Sequence, residues 1–241
     1  MDYQLMLDSL PLLWEGTKVT LALFAISMVL STVLAIPLAI ARVQKAWWLR
    51  WPIEVFSQVF RGTPLLVQLF IVYYGLAQID AVRDSWAWEY LRKPYWCAII
   101  ALTLNTAAYT VHILRGAIEA VPHGEVEAGH AFGLSFRALY QSIILPRAVL
   151  LALPSYGNEL IKTVKRTSLA SVITISDLTG VANTLVSRTY APYEIFITAG
   201  LIYLGFAFAA NHLVRLLEHR MSRHMRAVQS ERLVLLETEP S

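Results

Sequence analysis

From Val19 to Ala41 the chain carries no charged residue. A helix needs about 20 mostly apolar residues to cross about 30 Å of hydrocarbon, and this run meets that length. Lipid offers the backbone no hydrogen-bond partners, so a spanning segment of this kind must be a helix. Three further stretches read the same way. Gly62 to Gln78 is uncharged between Arg61 and Asp80, Pro94 to Leu114 between Lys93 and Arg115, and Ile195 to Val214 between Glu194 and Arg215. Composition agrees: 56% of residues are hydrophobic and 15% charged, against about 45–50% and about 25% in soluble domains.

A fifth span is less clean. Ala148 to Thr163 begins apolar and then carries Glu159 and Lys162. We read Ala148–Arg166 as one span, and the mostly apolar stretch from Thr167 to Ser187, which holds Asp177, as a short helix or re-entrant piece. The predicted fold is all-α: a bundle of about five transmembrane helices in residues 1–220, followed by a polar, frayed tail over 221–241. The start of the chain lacks the basic region of a cleavable signal, carrying Asp2 and Asp8 instead. Its first apolar run is expected to begin after Lys18 and to stay in the membrane.

Loop charges give an orientation. Arg42, Lys45, Arg50, Arg115, Arg137, Arg215 and Arg220 fall on one side, with fewer basic residues on the other. Positive loops mark the cytoplasm, so the N-terminus is expected outside and the C-terminus inside. Trp47, Trp48 and Trp51, and a second cluster at Trp86, Trp88, Tyr90, Tyr95 and Trp96, suit the headgroup zone. No run of five or more like charges points to nucleic acid. Cys97 is the only cysteine, so no disulfide can form within the chain.

The most informative segment links the third and fourth spans. Pro122 ends one helix, Glu125 and Glu127 follow in what reads as the first turn of another, and Gly133 suits a left-handed position after its end. A short surface helix held by turns is shaped to dock in a groove of a partner. Within it, Glu127-Ala128, Gly133, Ile143 and Leu145-Pro146 match the pattern Glu-Ala-Ala, three residues, Gly, nine residues, Ile, one residue, Leu-Pro. That signature resembles the membrane subunits of binding-protein-dependent ABC importers. Gly129 departs from the second Ala, and its small size still permits close approach. Further stretches are similar to the polar amino-acid branch, nearest its histidine, lysine/arginine/ornithine and opine permeases. These are Arg61-Gly-Thr-Pro-Leu-Leu-Val-Gln68, Asn105-Thr-Ala-Ala-Tyr109, Arg115-Gly-Ala-Ile118 and Tyr156-Gly-Asn-Glu159 with Lys162 and Thr167-Ser-Leu169. His112 stands where that branch has an acid.

The resemblance implies a transport subunit rather than an enzyme. The helix around Glu125, Glu127, Ala128 and Gly133, together with Leu145 and Pro146, would couple it to an ATPase. Implied partners are two ATP-binding subunits, a second permease subunit (related more than identical), a binding protein outside and the lipid bilayer. The chain has no phosphate-binding Gly-x-x-x-x-Gly-Lys loop of its own.

Asn158, Glu159, Lys162, Thr167 and Ser168 are the candidate substrate-pathway residues. Ionisable groups within a span either line a route or pair with each other; Glu159 and Lys162, three apart, fit both readings. A carboxylate there suits a cationic or zwitterionic amino acid. Pro154 kinks the same span, with or without a functional reason. The six histidines form no ligand set, and no cofactor or metal is expected. Ser155 and Ser168 lack a catalytic His/Asp pair. A channel or secondary transporter would need a selectivity sequence or internal repeats, and neither is visible.

Overall fold

The computed structural model describes residues 2–237, with side chains to residue 220. Within them the secondary structure is helical, without a strand. Four helical segments are long and apolar enough to span a membrane, and a bent pair adds a fifth candidate.

The first helix, α1, runs Tyr3–Arg42. At about 1.5 Å per residue its 40 residues reach about twice the hydrocarbon thickness. The sequence reading started it after Lys18. The helix in fact passes through that point, where Glu15 and Lys18 pair with each other at an exposed position, 2.5 Å apart. Asp2 caps its beginning by accepting the Leu5 amide at 3.1 Å. Leu13 of this early stretch packs with residues of α10 (Leu178–Thr189) and α11 (Pro192–Glu237). Gly16 makes that packing possible: a Cβ there would lie 2.8 Å from the Asp177 carbonyl oxygen.

The second span is broken. Helix α2 (Trp47–Gly62) and the helical run Leu65–Gln78, which opens with α3 (Leu65–Phe70) and continues as a π turn and a 3-10 turn, meet at 104°. Pro64 cannot donate an amide, and the bend frees carbonyls that lipid cannot satisfy. Two buried amides take them up. Gln68 Nε2 donates to the carbonyls of Phe60 at 2.8 Å and Thr63 at 3.1 Å, and Asn105 Nδ2 donates to Phe60 at 3.0 Å and to Gln68 Oε1 at 3.1 Å. The Gln68 and Asn105 stretches thus form one device that holds the break.

Two short helices, α4 (Asp80–Arg83) and α5 (Trp88–Leu91), lead to α6 (Pro94–Glu119), the best-buried span. Apolar burial does not drive association between helices already in lipid; close packing does, and small side chains favour it. Ala98, Ala101, Ala107 and Ala108 on α6 are fully buried. After α7 (His123–Ala131) and α8 (Phe136–Leu139), a π turn leads into α9 (Leu145–Arg166) and a 3-10 stretch (Thr167–Ile173). Gly157 of α9 meets α11 so closely that a Cβ would lie 2.2 Å from Val214 Cγ1. Val29, Val33, Leu201 and Phe208 are exposed on the outside of the bundle, as lipid-facing positions should be. The backbone of α11 stays helical to Glu237, where the sequence reading placed a frayed tail; residues 238–241 lie outside the described part.

Candidate functional site

Two regions gather the residues singled out above. The first is the turn between α6 and α9. Its helix α7 begins at His123, so Glu125 lies in the first turn and Glu127 in the second, one turn later than expected. Gly133 has φ +70°. Its amide donates to the His130 carbonyl at 2.9 Å, and the Leu134 amide to the Gly129 carbonyl at 3.1 Å. This is the paired helix-end motif that a left-handed glycine permits.

Gly129 is buried within its own chain, not offered to a partner. A Cβ there would stand 2.5 Å from Leu139 Cδ1 and 3.0 Å from Ile143 Cδ1. The glycine that departs from the signature is therefore the residue against which α8 and the π turn close. Arg147, next to Pro146, fixes the other side. Its Nε donates to both Glu125 oxygens, at 2.9 and 3.2 Å. That hydrogen-bonded guanidinium holds the Glu125 carboxyl below its usual range. The exposed surface of the turn includes Glu127, Ala128, His130, Phe132 and Phe136. Phe132 is 86% exposed, and the sequence reading missed it. Its exposure follows from packing, because α8 and the π turn close on Gly129 instead. Leu145 is half-buried and Pro146 exposed; both start α9 rather than joining the exposed turn.

The second region lies on α9. Leu151, Ser155, Asn158, Lys162 and Lys165 recur every three or four residues, which places them on one face, and all five are exposed. Glu159 points the other way and is buried. Its partner is Arg166, not Lys162: Arg166 Nη1 donates to Glu159 Oε1. Seven residues is two helical turns, which keeps the pair on one face; reading only the nearest cation hid it. The Arg166 guanidinium also lies 4.5 Å from the centre of the Tyr109 ring, within cation–π reach. The guanidinium of Arg61 lies 5.5 Å from the same ring. Three motifs far apart in the sequence, around Arg61, Tyr109 and Glu159, thus meet at one point.

Thr167 and Ser168 behave differently. The Thr167 hydroxyl donates to the Val164 carbonyl and the Ser168 hydroxyl to the Lys165 carbonyl, each at 2.7 Å. Thr167 is buried; Ser168 and Lys165 border a cavity of about 320 Å³ against Gly200, Tyr203, Leu204 and Ala207 of α11. Pro154 is exposed within an unbroken α9.

Comparison with known proteins follows the same lines. A family described as "Binding-protein-dependent transport system inner membrane component" matches residues 31–223. The octopine transport system permease protein of Rhizobium meliloti is 47% identical over 213 residues, covering 86% of this chain and 87% of the relative. The histidine/lysine/arginine/ornithine transport system permease protein of Escherichia coli (strain K12) is 40% identical over 223 residues, covering 90% and 94%. The crystal structure of an amino acid ABC transporter with histidines superposes with a TM-score of 0.81 at 30% identity, over 91% of this chain and 99% of that one. The MetNI methionine ABC transporter shares the fold at 16% identity, with a TM-score of 0.75 over 90% of this chain and 99% of that one. A broken second span, the α7 turn and this degree of likeness converge: the chain belongs to the family of binding-protein-dependent transport system inner membrane components, as a permease subunit of an ABC importer.

Proposed function

We propose that this chain forms one wall of the translocation route for polar amino acids or opines, and that its α7 turn docks on an ATP-binding subunit. The exposed polar face of α9 carries the reading. A lysine turned to lipid at mid-membrane costs about 2.5–3.5 kcal/mol. Ser155, Asn158, Lys162 and Lys165 share a face that therefore suits water and a second permease subunit, not hydrocarbon. The substrates named for the relatives, octopine and histidine/lysine/arginine/ornithine, supply the class.

Two ATP-binding subunits, a related permease subunit and an external binding protein complete the assembly in this reading. The exposed Phe132, with Glu127, Ala128 and Gly133 around it, is the contact offered to the ATPase. Leu145 and Pro146 carry movement of that contact into α9 through Arg147 and Glu125. The N-terminus lies outside and the C-terminus in the cytoplasm, following the basic loops. Reporter fusions near residue 85 should then read outside, and near residue 130 inside. In membranes holding the complete system, uptake should require ATP, and the tagged chain should co-purify with an ATPase. Uptake that persists without the ATPase would contradict this reading.

A further inference from the structure

Two guanidinium groups, those of Arg166 and Arg61, lie over one Tyr109 ring, and one carboxylate serves them. Glu159 engages Arg166 through a single nitrogen; the other N–H groups of Arg166 have no partner among the described residues. No carboxylate among the described residues reaches Arg61, and its buried Nε has no hydrogen-bond partner. Lys162 and Lys165 on the adjacent exposed face also form no ion pair with any described residue. His112, exposed on α6, lies in the field of Arg61, of Arg42 and Arg115, and of Glu54, which pairs with both of those. Like charges gathered together repel, most where burial limits their solvation, as at the Arg61 Nε, and the ring offsets only part of that. The missing component is an anion.

We propose that Arg61 and Arg166 receive carboxylate groups of the transported molecule. Their surplus charge favours substrates with at least two carboxylates over basic amino acids with one. A guanidinium presents a planar fork that matches a carboxylate, and Arg166 is held ready for it. Glu159 and Tyr109 are positioning residues: Glu159 fixes Arg166 and is itself used up by that pairing. The expectation that Glu159 selects a cationic substrate gives way to the opposite preference, reinforced by Lys162 and Lys165. The proposal rests on the reading of the α9 face as part of the translocation route.

The test is equilibrium binding to the assembled complex in detergent, without its binding protein. Octopine has two carboxylates and one guanidinium; arginine has one of each. Octopine should bind about tenfold tighter or more, the scale of one added charge-assisted contact. Arg61→Gln should remove most of that preference and change arginine binding less. Where Arg61→Gln does not assemble, Arg61→Lys should lower the preference several-fold, because the charge stays and the fork is lost. Equal affinities, an unchanged preference in the variant, or no binding of either compound would overturn the proposal. ATP-driven uptake by the complete wild-type system separates the two levels. Uptake without the predicted preference removes only the carboxylate assignment, whereas absence of any ATP-dependent uptake of either compound strikes the importer reading beneath it.

Discussion

The turn at α7 and the charged cluster at Tyr109 do opposite things with their polar groups. In the turn, a tight local frame pushes selected side chains outward: the Gly133 end motif, the Gly129 contact with Leu139 and Ile143, and the Glu125–Arg147 tie leave Phe132 exposed. In the cluster, helices distant in sequence bring charges inward, where Glu159 is buried against Arg166. A surface that docks a partner can rest on local backbone geometry. A charged site inside a membrane needs partners from several helices, because each unpaired charge there is costly. The two regions should therefore fail differently when altered.

The largest effect should come from the cluster. Arg166→Met leaves Glu159 buried without its cation, and breaking a buried pair from one side costs about 3–5 kcal/mol. The amount of folded complex recovered from membranes should fall sharply. Adding Glu159→Gln to Arg166→Met should restore much of it, since no stranded charge remains. Lys162→Met in place of Arg166→Met should do neither, because Lys162 is exposed and unpaired among the described residues. A sharp loss with Lys162→Met that Glu159→Gln restores would reassign the partner.

In the turn, Gly133→Val meets a backbone at φ +70°, where a β-branched residue is strained by about 1–3 kcal/mol. Gly129→Val adds overpacking against Leu139, of similar size. Both changes are local, so the bundle should still assemble while ATP hydrolysis becomes uncoupled from uptake. A loss of assembly equal to that of Arg166→Met would erase the contrast between the regions.

Phe132 is 86% exposed, so Phe132→Ser removes little packing within the bundle. Thermal stability of the isolated subunit should stay within about 0.5 kcal/mol, while binding of the ATPase weakens at least tenfold, as for a truncated aromatic anchor. Unchanged ATPase binding would remove Phe132 from the interface.

The smallest effect belongs to Glu125. Both it and Arg147 are about one-third exposed, so the tie contributes about 0–1 kcal/mol after solvent screening. Arg147 lowers the Glu125 pKa, so the contribution is present above the ordinary carboxylate value and is lost as pH falls through the lowered one. Amide protection in α7, taken against the intrinsic exchange rate at each pH, should drop over that acid range in the wild type and show no such step in Glu125→Gln.

The two regions also differ in how far the sequence revealed them. The turn was legible because its determinants sit within one short stretch: Gly133, Ile143 and Leu145-Pro146 fall at fixed spacings, and a left-handed glycine follows from helix-end chemistry alone. Local reading erred where long-range packing decides, as at Gly129, which its own chain covers. The apolar runs located the spans, yet α1 extends to Tyr3 because Leu13 and Gly16 pack on the α10 region. No charge-free window could show that. At Glu159 the sequence offered Lys162 three residues away and Arg166 seven residues away. Only packing against Tyr109 favours the second. Gln68 and Asn105 belong to separate sequence motifs, and their shared task at the Phe60 carbonyl appears only when the helices are assembled.

The central claim is that the exposed face of α9 borders an aqueous route while other exposed faces meet lipid. It is tested most directly by thiol labelling of the assembled complex. Cys97 is buried and the only native cysteine, so Cys97→Ala gives a clean background. In that background Asn158→Cys should react with a membrane-impermeant anionic thiol reagent, which the surrounding basic groups admit, and transported substrate should slow the reaction. Val33→Cys, on the outside of α1, should stay unreactive. If Asn158→Cys proves as inert as Val33→Cys, the α9 face does not border the route and the account is wrong.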